Sequence, residues 1–417
     1  MSVDIDVPYL SSTSWDRDMT ERLRWLREND PVHWSEKDGL WVVTKFEDVS
    51  YVSKEQELFT SGKGVRPGNP ARLGLIDEPE PRHSQLRRLL NKGFTPRMVA
   101  KLEQVFKRIV DEELDVIADA GECDFVDDIA VPLPLLIIAE MIGIRREDRD
   151  RFHQWSDAMI SADGNEHDPE IMAAAGQAFV EYSTYCGEII ESRRKEPKDD
   201  LVSILVNADD EGVIGRFEDA QTPIEVSEDH ADLVKNELLM LCVILMVAGN
   251  ETTRNALSGG IQLLIENPDE REKLLRDPSL IPSACEEMLR MVSPVLSFGR
   301  TATRDTELKG RKIKEGQTVL IVYPSANRDA DVFEDPDTFR VERNPQHLAF
   351  GIGNHFCLGA NLARMEMRVT FEELLRRFPD MEYSAGGPQF GRSALVRSCV
   401  HLRVRYTAEN ATERAAL

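Results

Sequence analysis

The sequence lacks a long uncharged apolar segment. It has no run of about 18 uncharged apolar residues, and it begins MSVDIDVPYL, without a basic region followed by an apolar one. A transmembrane helix needs about 20 apolar residues, and a secretory signal needs an apolar stretch after a basic segment. We therefore expect a soluble, cytoplasmic protein without a stable membrane anchor.

Positive charge is scarce. The 51 lysine and arginine side chains are outnumbered by 75 aspartate and glutamate side chains, which gives a net charge of −24 at pH 7. A protein this acidic repels polyanions, so we expect no nucleic-acid binding. No stretch rich in proline, glycine or serine divides the 417 residues, and we expect one domain over 1–417.

Paired cysteines are also absent. The six cysteines are scattered without the short, regular spacings of a disulfide framework or a zinc site, at Cys123, Cys186, Cys242, Cys285, Cys357 and Cys399. Five of them are expected to be small buried residues. Cys357 differs because of its neighbours.

Two hydrophobic patterns divide the chain. Apolar residues recur at helical spacing through most of the middle, whereas segments rich in β-branched residues lie near both ends. The strand candidates are GLWVVTK from Gly39, a hairpin in KGRKIKEGQTVLIV, and VHLRVRY from Val400. We predict a mainly α fold with small β-sheets, with the β-rich portion from about 1–75, 300–345 and 380–417. The acidic, aperiodic segment 207–232 is interpreted as a surface loop without assigned chemistry.

Six residues near the C-terminus form a compact motif: Phe350, Gly351, Gly353, His355, Cys357 and Gly359. The segment from Leu358 onward has helical spacing, so Cys357 is predicted to lie at a helix N-terminus. Unpaired N–H groups and the helix dipole there favour a thiolate, and the glycines let the backbone approach a flat ligand closely. A lone cysteine before a helix is usually structural, but six matched positions indicate a thiolate that binds iron.

The motif resembles the haem-thiolate signature of the cytochromes P450, and the resemblance extends over about 39–405. It implies the cytochrome P450 fold, with a long central helix over the haem, and a haem b whose iron takes Cys357 as axial ligand. Phe350 would pack beside the sulfur, His355 would meet a haem propionate, and the glycines of the motif would contact the cofactor. The implied activity is monooxygenation, the insertion of one oxygen atom from O₂ into a C–H bond of a lipophilic substrate.

A second motif interrupts a long apolar helix predicted over 232–266, about 50 Å at 1.5 Å per residue. A buried helix should be apolar throughout, yet this one carries Ala248, Gly249, Asn250, Glu251, Thr252 and Thr253. One interpretation is a threonine that bonds back to a carbonyl one turn earlier. The resemblance favours a function: Ala248 and Gly249 leave room beside the haem, Thr252 hydrogen-bonds oxygen and water there, and Glu251 relays protons from solvent.

Glu287 and Arg290 are three residues apart in CEEMLR, close enough to pair on one helix face. Such a pair is usually solvated and contributes little to stability. The resemblance implies instead that they form a scaffold behind the haem loop together with Arg343, and that they are needed for folding and haem retention.

His83 and Arg87 are four residues apart at the start of a predicted helix, so their side chains project from one face. Taken alone, this spacing is as compatible with a solvated basic helix as with a clamp for a carboxylate. The resemblance implies that both bind the haem propionates and that Arg300 is a third donor.

The resemblance also places several segments around a substrate pocket, and their residues are nearly all apolar. They are Val65, Leu73, Leu75 and Ile76; Leu245 and Val247; Val295, Leu296 and Phe298; and Leu395 and Val396. Such a pocket favours a lipophilic substrate, although core packing would explain any single residue. The segments LFTSGKGVRPGNP, GLWVVTK, AGNETTRN and GANLARME are similar to actinobacterial enzymes that oxidise the terminal side-chain carbon of sterols, which favours a sterol or related branched lipid.

No redox module is fused to the chain, so electrons are expected from a separate ferredoxin and its NAD(P)H-dependent reductase. Basic residues near the cysteine loop would attract such an acidic carrier: Arg87, Arg88, Lys92, Arg97, Arg364 and Arg368. An alternative substrate is a macrolide, a terpenoid or another secondary metabolite. A peroxide-driven or isomerising enzyme is disfavoured by the presence of both Glu251 and Thr252, and a non-catalytic haem protein by the distal polar cluster and the apolar pocket.

Overall fold

Helices make up most of the structure. The computed structural model describes residues 4–15, 19–67, 74–162, 165, 167–215, 233 and 236–409, and the predicted mainly α fold with small sheets is confirmed. The α-helices in these ranges are α1 (Met19–Asn29), α2 (Phe46–Lys54), α3 (Arg82–Leu90), α4 (Pro96–Ile117), α5 (Pro132–Ile142), α6 (Arg149–Ser161), α7 (Pro169–Lys195), α8 (Leu201–Asp210), α9 (Glu237–Glu266), α10 (Pro268–Arg276), α11 (Ile281–Val292), α12 (Tyr323–Ala326) and α13 (Ala360–Arg377).

The helix α9 is the predicted long central helix, and it packs against α5, α6, α7, α11 and α13. Its 30 residues span about 45 Å. It begins five residues later than predicted because Asn236 caps it, accepting a hydrogen bond from the Leu239 N–H at 3.2 Å. It ends at Glu266, since Pro268 opens the next helix.

The strands form several small sheets. Their bounds are β1 (Val32–Ser35), β2 (Leu40–Val43), β3 (Phe59–Thr60), β4 (Glu122–Asp124), β5 (Ser297–Ala302), β6 (Thr306–Leu308), β7 (Arg311–Ile313), β8 (Thr318–Val322), β9 (Glu382–Tyr383), β10 (Gln389–Phe390), β11 (Cys399–His401) and β12 (Arg403–Arg405). The largest sheet among the described residues has the order β1-β2-β8-β5-β3, and only β2 and β8 run parallel in it. This sheet joins the N-terminal segment to the strands on either side of 310.

The hairpin predicted in KGRKIKEGQTVLIV is wrong. The strand β7 pairs with β6, and β8 pairs instead with β5 and β2. The actual hairpin turns at Lys309 and Gly310, which both have positive φ, at 48° and 79°. Two consecutive residues with positive φ form the short turn that matches the twist of paired strands. The Lys-Gly dipeptide therefore indicates a hairpin between β6 and β7, not between β7 and β8.

Two further boundaries differ from the prediction. The strand β4 lies outside the predicted β-rich portions. Its three residues are too few to show an alternation of apolar and polar side chains, and the strand forms by pairing with the distant β12. The helix α8 continues to Asp210, so the start of the predicted loop 207–232 is helical; the part at 216–232 lies outside the described residues.

The organisation of the chain as one domain over 1–417 stays a prediction.

A buried ion-pair cluster braces the segment that leads to Cys357. Glu287 and Arg290 are both completely buried, and Glu287 accepts hydrogen bonds from Arg290 Nε at 2.6 Å and Nη2 at 2.7 Å. Arg343 Nε donates to the same carboxylate at 2.9 Å. Arg290 also donates to the carbonyl oxygens of Asn327 and Pro336. The three predicted scaffold residues therefore meet, and they fix two loop segments to α11.

Candidate active site

The loop that carries Cys357 is held by its own backbone. The Cys357 N–H donates to the Phe350 carbonyl oxygen at 2.8 Å, which closes the loop into a compact turn. Gly351 and Gly353 have φ of 68° and 80°, a region that residues with a Cβ rarely adopt. The following helix begins at Ala360 rather than at residue 358 as predicted, so Cys357 lies just before the first turn of α13.

Two opposing effects act on the pKa of the Cys357 thiol. Burial raises the pKa of the thiol, while the backbone N–H groups of Gly359 and Ala360 and the charges of Arg87 and Arg364 oppose that rise. The N–H groups at the helix start thus favour the thiolate, as predicted, but the net pKa is raised because desolvation is the largest effect. A bound metal ion would supply the missing positive charge.

Cys357 opens onto a cavity between α9 and α13, with a volume of about 230 Å³. Many of the predicted site residues line it: Leu75, Ile76, His83, Arg87, Leu245, Ala248, Gly249, Thr252, Val295, Phe298, Phe350, Gly351, His355, Cys357 and Gly359. Of the six cysteines, only Cys357 lines the cavity. The structure therefore brings three separate sequence motifs to one space.

One side of this cavity is unusually basic. His83 is 2% exposed and faces His355, with the two ring centroids 4.2 Å apart. Arg300 lies behind them, 3% exposed, and does not itself line the cavity. Burial, followed by the charges of Arg300, His83 and Arg87, lowers the pKa of His355 to about 2. The four basic groups thus repel one another in a place that water hardly reaches.

These basic groups also have unused donors. His83 Nε2 and Arg300 Nε are buried without hydrogen-bond partners among the described residues, and Arg87 makes no hydrogen bond or ion pair there. Unpaired buried donors are costly unless a ligand accepts from them. A ligand with carboxylates at one edge would satisfy them.

The residues around the cavity fit an iron porphyrin. A cysteine sulfur faces a space with apolar walls, and basic side chains with unpaired donors lie on one side of it, where they would hold the carboxylates of a haem. Phe350 packs under the guanidinium of Arg364, whose Cζ is 4.8 Å from the ring centroid, and so closes the loop on the outer side. The donor set matches a soft thiolate-bound metal and an anionic organic ligand.

The opposite wall of the cavity comes from α9. Ala248, Gly249 and Thr252 line it, as the resemblance implied. The Thr252 hydroxyl donates to the Ala248 carbonyl oxygen at 2.7 Å, which is the local bond that the sequence raised as an alternative interpretation. Its oxygen can still accept a hydrogen bond from a molecule in the cavity.

Glu251 does not line the cavity. Its side chain is 1% exposed, and Oε2 lies 2.7 Å from Nη2 of Arg254. Burial raises the pKa of Glu251 to about 8, Arg254 opposes this rise, and the charge of Asp157 adds to it. Burial therefore favours the acid form of Glu251, and two partners that the sequence did not reveal, Arg254 and Asp157, surround it.

Several predicted pocket residues lie beside the cavity rather than in its wall. Leu395 and Val396 pack with Ile160 into a separate apolar cluster, against which Val247 also packs. Val65 is buried, and its carbonyl oxygen accepts from the Gly299 N–H at 2.6 Å. Leu296 is buried between strand and turn, where its N–H donates to the Leu395 carbonyl oxygen at 2.8 Å. Leu73 lies outside the described residues.

Other residues line the cavity although the sequence analysis missed them, among them Leu90, Phe94, Ile138, Ile244, Leu289, Tyr323, Leu362 and Glu366. Ile244 is one turn before Ala248, and Leu362 and Glu366 lie one turn apart near the start of α13, so helical spacing could have indicated these three. Ile138 and Leu289 come from α5 and α11, whose approach to α9 no local pattern marks.

The comparison with protein families agrees with this geometry. The model for the family described as Cytochrome P450 matches residues 32–384, which is most of the chain. The chain belongs to the cytochrome P450 family. As a cytochrome P450 monooxygenase it uses haem with an axial cysteine thiolate, and its substrates are O₂ and a lipophilic molecule.

Similar cytochromes P450 include enzymes named for different substrates. A steroid C26-monooxygenase of Mycolicibacterium smegmatis is 38% identical, over 88% of this chain and 87% of the relative. The polyketide biosynthesis cytochrome P450 PksS of Bacillus subtilis is 35% identical, over 86% of this chain and 87% of that one. A crystal structure of CYP109E1 from Bacillus megaterium in complex with testosterone matches with a TM-score of 0.82 and 33% identity, covering 95% of this chain and all of that one.

Within the described ranges, no helix combines the length and apolar character needed to cross a membrane.

Proposed function

We propose that Cys357 is the axial haem ligand of this P450 and that His83, Arg87, His355 and Arg300 hold the propionates. The observation that carries this proposal is that one cavity is lined by a single cysteine and by the basic side chains of His83, Arg87 and His355, with the unpaired Nε2 of His83 among their donors. When bound, the haem supplies the activation of O₂ that the thiolate's electron donation makes feasible. The cations neutralise the carboxylates, and the apolar walls keep water away from the cofactor.

Residues of α9 leave space beside the cofactor and supply protons to the cavity. Ala248 leaves space beside the cofactor, and the Thr252 oxygen accepts a hydrogen bond from water or another donor in the cavity. Glu251 holds a proton on its carboxyl group one residue away, where burial keeps it neutral. We assign to Glu251 the supply of protons to the Thr252 side of the cavity.

The spectrum of the haem tests the ligand assignment. The reduced, carbon monoxide-treated protein should show the red-shifted Soret band of thiolate ligation, and C357A should lose it. H83A and R300A should keep the band but release haem to apomyoglobin faster than the wild type, because each removes a propionate donor. An unchanged band in C357A would contradict the assignment.

The substrate we propose is a sterol or a related branched lipid, hydroxylated on its side chain. The wall of the cavity is largely apolar, with Leu75, Leu245, Val295 and Phe298 on it, so a ligand binds there by burying apolar area. Relatives named steroid C26-monooxygenase, from several actinobacteria, support the sterol class.

A second candidate substrate is a secondary metabolite such as a polyketide, which the PksS relative supports. A Soret titration with a sterol, a fatty acid and a macrolide separates the two. A shift of the haem to high spin by the sterol, at the lowest concentration of the three, is the expected result. A shift by the macrolide alone would replace the sterol with the second candidate.

We also propose a separate ferredoxin and its NAD(P)H-dependent reductase as electron donors. Arg88, Lys92 and Arg97 are exposed, whereas Arg364 and Arg368 are paired with Glu286 and Glu372. The patch open to an acidic carrier is therefore smaller than the six residues predicted. Reduction by a surrogate ferredoxin should slow as salt rises, and K92E should slow it further at low salt.

A further inference from the structure

A chain of charged groups connects Glu251 to the protein surface. Arg254 is 6% exposed, and its Nη2 lies 2.7 Å from Glu251 Oε2. Both Glu251 oxygens are buried without a hydrogen-bond partner in the described chain. The carboxyl group thus lies beside Arg254 without a hydrogen bond that fixes its orientation.

The other end of the same guanidinium is fixed firmly. Arg254 Nη1 donates to Asp157 Oδ1 at 3.0 Å, and Asp157 lies on α6, which packs against α9. The Asp157 side chain is 41% exposed, and His153, one turn earlier on α6, has Nε2 3.4 Å from its Oδ2. A surface carboxylate, one buried guanidinium and one buried carboxyl group therefore lie in sequence between solvent and the position next to Thr252.

We propose that Asp157 is a positioning residue for proton delivery, which anchors Arg254 and passes protons between solvent and the carboxyl group of Glu251. The inference rests on the role proposed above for Glu251. In the step, Glu251–COOH releases its proton toward the cavity and becomes a carboxylate. Asp157 takes one proton from solvent and passes it to that carboxylate, so both groups return to their starting state and one proton has crossed.

The charges around Glu251 agree with this direction of transfer. Burial and the negative charge of Asp157 both raise the pKa of Glu251 and so favour its acid form. Arg254 from its own helix opposes them, and from β11 the thiol of Cys399 faces Arg254. Asp157 is exposed beside His153, so its carboxylate can exchange protons with water.

Infrared spectroscopy of the holoenzyme tests the coupling without turnover. The band of a protonated carboxyl group, identified by its absence in E251Q, should be present at neutral pH. Its disappearance with rising pH should shift to lower pH in D157N, because a negative neighbour has been removed. D150N is the matched control, since Asp150 is an exposed aspartate on the same helix, and it should leave the midpoint unchanged. An unchanged midpoint in D157N would overturn the inference.

Turnover of cholestenone with a surrogate ferredoxin and reductase gives the second test. D157N should lose about tenfold in product formed per NADPH, with more peroxide released and a larger solvent isotope effect, whereas D157E and D150N should stay near the wild type. Loss of coupling in D157N together with an unchanged spin shift separates proton delivery from substrate binding. If the wild type itself fails to bind cholestenone, the proposed substrate fails, and the infrared result still decides the role of Asp157.

Discussion

Gly249 of α9 and Ile138 of α5 touch where the two helices cross: a Cβ built on Gly249 would lie 2.5 Å from Cδ1 of Ile138. Both residues line the cavity, so the glycine sets how closely α5 approaches the proposed haem site.

Replacing Gly249 by alanine should therefore destabilise the protein by about 1–3 kcal/mol, the usual cost of overpacking, despite the better helix propensity of alanine. G187A is the control, because a Cβ at Gly187 meets nothing within 4 Å in the interior of α7. It should stabilise by about 0.5–1 kcal/mol. Urea unfolding measures both changes, and equal effects would contradict the packing argument.

The buried pair of Glu287 and Arg290 should be essential for folding. Removing one partner leaves an uncompensated buried charge, so R290A should lose about 3–5 kcal/mol of unfolding free energy and retain little haem. The exposed pair of Arg276 and Glu272 has similar helical spacing, at 2.9 Å, and R276A should cost about 0–1 kcal/mol. Haem content and denaturant unfolding check both variants. A stable, haem-loaded R290A protein would show that the cluster is dispensable.

The stability of the protein should depend on pH through Glu251. Its pKa is about 8 in the folded state and close to the ordinary value of 4.5 in the unfolded chain, so between these values the folded state holds a proton that the unfolded chain has lost. The unfolding free energy should then fall as pH rises through this window, by at most about 1.4 kcal/mol per pH unit.

E251Q should remove this contribution, since glutamine does not titrate. Comparison of urea unfolding at pH 6 and pH 8.5 should show wild type losing more stability than E251Q over this interval. Parallel losses in the two proteins would contradict the raised pKa.

Leu245 should control ligand binding without being part of the catalytic chemistry. L245A removes part of the cavity wall and so enlarges the cavity. The sterol concentration needed for the spin shift should therefore change by several-fold. L241A is the control, because Leu241 lies one turn earlier on α9, is completely buried and does not line the cavity. It should reduce stability by about 2–5 kcal/mol and leave the spin-shift midpoint unchanged. Equal midpoint shifts in both variants would place the binding site elsewhere.

The sequence anticipated the parts of the site that are local in the chain. The spacing around Cys357 and the small and polar residues from Ala248 to Thr252 mark sharp turns or break an apolar pattern, and such signals are read without tertiary contacts. The start of α9 was placed five residues early, because acidic residues before Asn236 do not interrupt a helical pattern by themselves.

The wall of the cavity was harder to predict. Val247 and Leu245 are two residues apart and equally apolar, yet only Leu245 lines the cavity, because the rotation of α9 turns Val247 toward the cluster of Leu395 and Val396. The direction in which an apolar residue faces within a buried helix depends on its neighbours, and these come from distant parts of the chain.

The sequence by itself determined the family, the mainly α fold and the position of the thiolate loop, since each depends on residue types at fixed short spacings. The tertiary structure decided which cations surround His355, which residues line the cavity, and that Asp157 reaches Arg254 from 97 residues away. Electrostatic and packing interactions act through space, so groups far apart in the chain become neighbours only when the helices have packed.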